Sequence, residues 1–133
     1  MVAFAQRPAD PGDDIVQPVS KIDIQIVERA AKILNSPAVW NRNDNRECPD
    51  GAKRVSIYCA LEQATKEIAK NFEHRGAAMQ ETRFVIDELV PNSTYEHRLM
   101  GYNNDPKTTF ADVQKVFRLT VKRIEKRIAE EKK

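Results

Sequence analysis

From Phe110 to Ala129 the apolar side chains recur with the period of an α-helix. Val113, Val116, Phe117, Thr120, Val121, Ile124 and Ile128 fall on one face, and Lys115, Arg118, Lys122 and Lys126 on the opposite one. Thr109 stands where a hydroxyl can cap the first turn, and Asp112 follows three residues later, the pattern of a capping box. A helix that long with a single apolar stripe is stable only when the stripe is buried. The rest of the chain therefore has to supply apolar faces that cover it.

Three further segments do so. Ile22, Ile26, Val27, Ala30, Ile33 and Leu34 form a stripe in a helix from about Lys21 to Asn35, with Ser20 as cap, Asp23 at the third position and Pro37 preventing continuation. A second helix is expected from about Ala52 to His74. Val55, Tyr58, Cys59, Leu61, Ile68 and Phe72 lie on or beside its apolar face, and Gly76 is placed as a left-handed C-cap. A third runs from about Ala78 to Leu89 with Met79, Val85, Ile86 and Leu89, although Phe84-Val85-Ile86 is also compatible with a strand. Between these lie a polar loop, Asn41 to Gly51, and a long connection from 91 to 108 with a short turn around Tyr95 to Met100.

The expectation is an all-α fold: a four-helix bundle, up-and-down or orthogonal, with long polar loops. A flexible arm (1–19) carrying Pro8, Pro11 and Pro18 precedes a single helical domain (20–133). With 133 residues, 41% of them hydrophobic, the chain can bury a core without staples. Four glycines and seven prolines, the latter mostly between periodic segments, argue against a hairpin-rich fold. A net charge of +2 does not by itself point to nucleic acid. No signal peptide is read at the start, and no stretch approaches the roughly 18 apolar residues of a membrane span. The expectation is therefore a cytoplasmic protein with no membrane partner and reduced thiols.

Few residue patterns point to chemistry. Cys48 and Cys59 do not make a disulfide framework, and Cys59, among Tyr58, Ala60 and Leu61, reads as a small buried hydrophobe. His74 and His97 complete a set of soft ligands, but their spacing matches no zinc pattern, so no metal is expected. Asn41, Asn43 and Asn45 alternate like a calcium loop, yet Arg46 stands where that loop needs Gly, and Ala52 where it needs Glu. Eight Lys or Arg against three Glu from Lys115 to Lys133 leave a local +5. This is first of all a solvated helix face, and secondarily a surface for an acidic partner through Lys115, Arg118, Lys122 and Lys126.

The best site comes from topology. If the helices alternate up and down, the two Asn/Asp-rich loops lie at one end, where the second and fourth helices present unpaired N–H groups. The candidate ligand-binding residues are Trp40, Asn43, Asp44, Asn45, Tyr102, Asn103, Asn104 and Asp105, with Lys53, Arg54 and Lys107 at the rim. The competing reading is that these side chains merely close turns and cap helices.

Two segments carry a resemblance. Val55-Ser56-Ile57-Tyr58-Cys59-Ala60-Leu61-Glu62-Gln63-Ala64, and Tyr102-Asn103-Asn104-Asp105-Pro106 followed by Thr109, Asp112, Val113 and Phe117, resemble a family of small bacterial proteins of unknown function. Its members have a Trp-Cys-Ala-Leu-Gly-Ala-Leu-like helix and a Trp-Asn-Asp-like loop before a final helix. The chain departs from that pattern at Tyr58, Glu62, Gln63, Tyr102 and Asn103. The resemblance spans roughly residues 20 to 125. It implies an all-helical fold and a bacterial origin, and no activity.

The function expected is a non-catalytic binding or interaction module without a cofactor, with a protein partner or a second copy as possible company. The alternatives are a small hydrolase-like enzyme using Cys59 or the loop Asp residues, and a nucleic-acid-associated protein using the basic last helix.

Overall fold

The structure is a computed structural model and describes residues 11–131. Part of the segment read as an arm, residues 1–10, lies outside that range. The chain is all-helical. It holds α1 (Lys21–Ile33), α2 (Ile57–Ala69), α3 (Ala77–Leu89), α4 (Arg98–Asn104) and α5 (Phe110–Glu131), with short 3-10 turns at Pro11–Asp14 and Pro37–Val39. Five helices replace the four expected, because the connection after Pro91 folds into α4.

α1 packs on α2 and α5, and α3 packs on α5 and α4. The expected faces of α1 and α5 are the buried ones, except that Ile22, expected in the α1 stripe, is 50% exposed in the first turn of the helix. Ile26, Val27, Ala30 and Leu34 meet Val113, Val116, Phe117 and Ile124 in one core with Leu61, Met79 and Ile86. Ser20 caps α1 through a complete capping box. Thr109 and Asp112 form the reciprocal pair of bonds at the start of α5, at 3.1 and 2.9 Å.

Two boundaries differ from the sequence reading for local reasons. α2 begins at Ile57 rather than Ala52, because Val55 pairs with the chain near Trp40. The Asn41 N–H donates to the Val55 carbonyl at 2.9 Å, and the Val55 N–H to the Val39 carbonyl at 2.8 Å. Ser56 then caps the helix by accepting from the Cys59 N–H. At the other end Lys70, not Gly76, takes the left-handed conformation, with φ 67°. Gly76 instead occupies the N-cap position of α3.

α3 is helical throughout and unusually polar inside: Gln80, Glu81, Thr82 and Arg83 are all buried. Glu81 is fully enclosed and receives Arg123 at 2.9 Å and Arg127 at 2.7 Å from α5. A carboxylate taken out of water needs such partners. No helix among the described residues is long and apolar enough to cross a membrane.

Candidate functional site

The two polar loops meet. The buried indole of Trp40 donates to Asn103 Oδ1 at 2.8 Å, and the same oxygen accepts the Ile57 N–H, the first of α2, at 3.0 Å. Asn103 is fully buried, and its amide nitrogen donates to the Asn41 carbonyl at 2.8 Å and to Asn104 Oδ1 at 2.9 Å. Asn104 in turn holds both backbone groups of Asp44, accepting its N–H at 2.7 Å and donating to its carbonyl at 2.9 Å. Arg42 lies over the Trp40 ring, 4.6 Å from its centroid, and donates to the carbonyls of Thr108, Asp105 and Pro106. Phe110 flanks Trp40 on α5, with the ring centroids 6.3 Å apart.

Thus Trp40, Asp44, Asn103 and Asn104 form a knot that welds loop 41–46 to the end of α4 and to the start of α2. The knot exists because Asn carries both a donor and an acceptor and can satisfy two chains at once. Tyr102 is buried beside it, and its hydroxyl pKa is pushed up to about 12 by burial and by the charges of Asp112 and Asp105. Asp105 accepts from the Tyr95 hydroxyl at 2.6 Å and from the Lys107 N–H at 2.9 Å, and these bonds hold its carboxyl below the ordinary range. Asp44 is 5% exposed; its Oδ1 closes a turn with the Arg46 N–H, while its buried Oδ2 has no partner among the described residues.

Asn43 and Asn45 point elsewhere. With Asn41, Glu47 and Asp50 they line one wall of an open cleft of about 640 Å³, whose other wall is the outward face of α2 from Cys59 to Glu67. Some of the cleft's polar groups are engaged. Lys66 pairs with Glu62 at 3.4 Å, Glu67 accepts from Arg29 at 2.7 Å and Gln63 at 3.0 Å, and Arg54 donates to the Ala38 carbonyl at 3.2 Å. The carboxylates of Glu47 and Asp50 and the amide of Asn43 have no side-chain partner among the described residues. Of the eight residues singled out from the sequence, Asn43 and Asn45 line this cleft and the other six do not.

The floor of the cleft contains a feature the sequence reading missed. Cys48 and Cys59 form a disulfide, with Cα atoms 5.4 Å apart. Cys59 is buried as expected, at 6% exposure, but it is not a free thiol. The pairing follows from the Val39–Val55 contact, which turns the loop back so that Cys48 lies over the first turn of α2. Eleven residues of separation gave no hint of it. In this state the Cys59 sulfur is bonded and cannot act as a nucleophile. Such a bond persists in oxidising surroundings and opens in reducing ones, so the compartment sets which state is populated.

His74 and His97 lie apart from Cys59 in their bonding, His74 against Tyr58 and His97 against Arg46. Among the described residues no group of three His, Cys, Asp or Glu is placed to hold a metal ion. On α5, Lys115, Arg118, Lys122 and Lys126 are all exposed.

The fold and site therefore define an all-helical domain with a loop-lined cleft stapled by a disulfide. The chain belongs to a family of unknown function, DUF6197, whose model matches residues 20–123. Comparison with curated proteins gives no match, and comparison with solved structures gives none either.

Proposed function

We propose that the chain is a non-catalytic binding module whose cleft takes a small polar molecule bearing a positive group. The observation that carries this reading is the cleft itself. Its volume of about 640 Å³ falls in the usual range for small-molecule sites, and Glu47 and Asp50 present carboxylates that form no ion pair among the described residues. Asn43 and Asn45 add amides that select by hydrogen bonding, and the disulfide fixes the wall that carries Glu47. In this reading Trp40, Asp44, Tyr102, Asn103, Asn104 and Asp105 support the site by holding the loop that forms it.

The test is calorimetric titration of the full chain with spermidine and with glucosamine. Saturable binding that weakens with salt and is lost in the Glu47→Gln, Asp50→Asn double variant supports the reading. Undiminished binding in that variant, or no heat at millimolar ligand, refutes it.

A second reading concerns α5. Lys115, Arg118, Lys122 and Lys126 are exposed, and none is ion-paired among the described residues, which suits an acidic partner. Binding to a generic DNA duplex that falls steeply with salt, and falls further when all four are changed to Gln, would favour it.

A further inference from the structure

The first described residues cross a basic hollow on the far side of α3. The turn Pro11–Asp14 is held there by side chains of other elements. Gln80, fully buried, donates to the carbonyls of Gly12 at 3.2 Å and Ile15 at 2.8 Å. Arg98, 3% exposed, pairs with Asp87 of α3 through one nitrogen, and through the other donates to the Asp13 carbonyl and pairs with the Asp14 carboxylate at 3.1 Å. The Asp13 carboxylate, itself 5% exposed, lies 3.1 Å from Arg75 Nε. Gly12 passes so close to Arg75 that a Cβ there would overlap the guanidinium.

Beneath this turn sits Arg83, 3% exposed. Its acceptors are all neutral: the His74 carbonyl, Gln80 Oε1 and His74 Nε2. Because Arg83 donates to Nε2, that nitrogen is an acceptor, and the ring proton sits on Nδ1, donated to the Tyr58 hydroxyl at 2.9 Å. His74 is therefore uncharged. A small hollow remains, about 10 Å³, with Arg46, Arg83 and Arg98 on its wall, and the carboxylate that faces them is Asp13. A buried guanidinium needs an opposing charge; Arg98 has one in Asp87 of α3, whereas the carboxylate opposite Arg83 is brought by the arm.

Arg75, Arg83, Arg98 and His74 lie within the stretch matched by the family model, which begins at residue 20; Asp13 and Asp14 lie before it. Nor does apolar burial anchor this part of the arm, since Ile15 and Val16 are 50% and 61% exposed. It is held by charge and by hydrogen bonds, which another carboxylate-bearing chain can reproduce.

The geometry points to a docking site for an acidic peptide, formed by Arg75, Arg83 and Arg98 and filled in cis by the chain's own Asp13-Asp14. When the arm leaves, the seat accepts a Gly-Asp-Asp-like segment of another protein. The arm thus competes with the partner, and the seat is open only in molecules whose arm is displaced.

The test uses the full chain and a fluorescent peptide of residues 11–18, followed by anisotropy. The Asp13→Asn, Asp14→Asn double variant should bind this peptide about tenfold or more tightly than the unaltered chain does, because its own arm, left with its hydrogen bonds alone, competes less. Affinity should fall with salt, and the same peptide with Asn at both positions should not bind. Equal binding by the two proteins, or equal binding of the two peptides, overturns the proposal. Phosphate binding without preference for the acidic peptide also overturns it, leaving a simple anion site. Since the double variant leaves Arg83 unopposed, Gln17→Ala serves as the second variant. It removes the bond from the arm to the Arg75 carbonyl, 2.9 Å long, while every charge of the seat and of the arm remains; it should show a gain in the same direction, and a folded Gln17→Ala chain with no gain again overturns the proposal.

Discussion

Asn103→Ala tests the knot on which the whole loop end depends. Asn103 is fully buried and makes four hydrogen bonds, accepting from Trp40 Nε1 and the Ile57 N–H and donating to the Asn41 carbonyl and Asn104 Oδ1. Alanine leaves two buried donors, the indole and the first N–H of α2, without an acceptor. A buried group so stranded costs about 1–3 kcal/mol, and some water enters the space vacated, so the expected loss is about 2–4 kcal/mol. For a domain of this size that lowers the midpoint of thermal unfolding by about 10 °C or more. Asn103→Asp is the sharper control. One carboxylate oxygen can keep the Trp40 and Ile57 bonds, but the other then faces the Asn41 carbonyl and Asn104 Oδ1, two acceptors. The variant should be as damaged as alanine at neutral pH and recover as the carboxyl protonates in acid. Urea unfolding is the assay, followed by circular dichroism and by the emission of Trp40, the single tryptophan. An alanine variant within about 0.5 kcal/mol of the unaltered protein would refute the reasoning, because exposed positions behave that way. So would an aspartate variant indifferent to pH.

The disulfide and His74 give two further expectations. Closing an 11-residue separation is worth about 3 kcal/mol by chain entropy, so dithiothreitol should destabilise the protein by about 2–3 kcal/mol and leave Cys48→Ser unaffected; two free thiols titrating in the untreated protein would contradict this. Burial and the neighbouring Arg83 hold His74 below its ordinary pKa of 6.5, so the unfolded chain takes up the proton first. The stability His74 contributes should therefore fall as pH drops through 6.5 toward the folded value, and that contribution, not the fold, is gone below it; a thermal midpoint that does not change between pH 7.5 and 5.5, or changes equally in His74→Gln, would count against the neutral ring.

Much of this architecture was legible in the order of residues. The stripe from Val113 to Ile124 and the caps at Ser20 and Thr109 are local facts, written within a few residues of one another, and the helices they imply are present. A likeness to a family of unknown function was also read in the sequence, and a family of unknown function matches residues 20–123. The loop end was half legible. An alternation of four helices was the reason to expect the two Asn- and Asp-rich segments to meet; they meet through Asn103 and Asn104 at the end of α4, a helix that alternation did not contain, and which side chains face the neighbouring segment and which a cleft depended on the backbone turn at Val55. That one pairing shortened α2, brought Cys48 to Cys59, and sent Asn43 and Asn45 outward while Asp44 turned in.

The sequence by itself determined α1 and α5, because amphipathic period and capping act over three or four residues and need no knowledge of the rest of the chain; it left α4 as a turn and misplaced the ends of α2. Tertiary structure alone decided the pairs: Trp40 with Asn103, Cys48 with Cys59, Glu81 with Arg123 and Arg127, Asp13 with Arg75. Each joins residues with no local signature, and each is selected by burial. Once packing removes water from a polar group, the group must find its complement among whatever the fold brings near, and only the three-dimensional path of the chain says what that is.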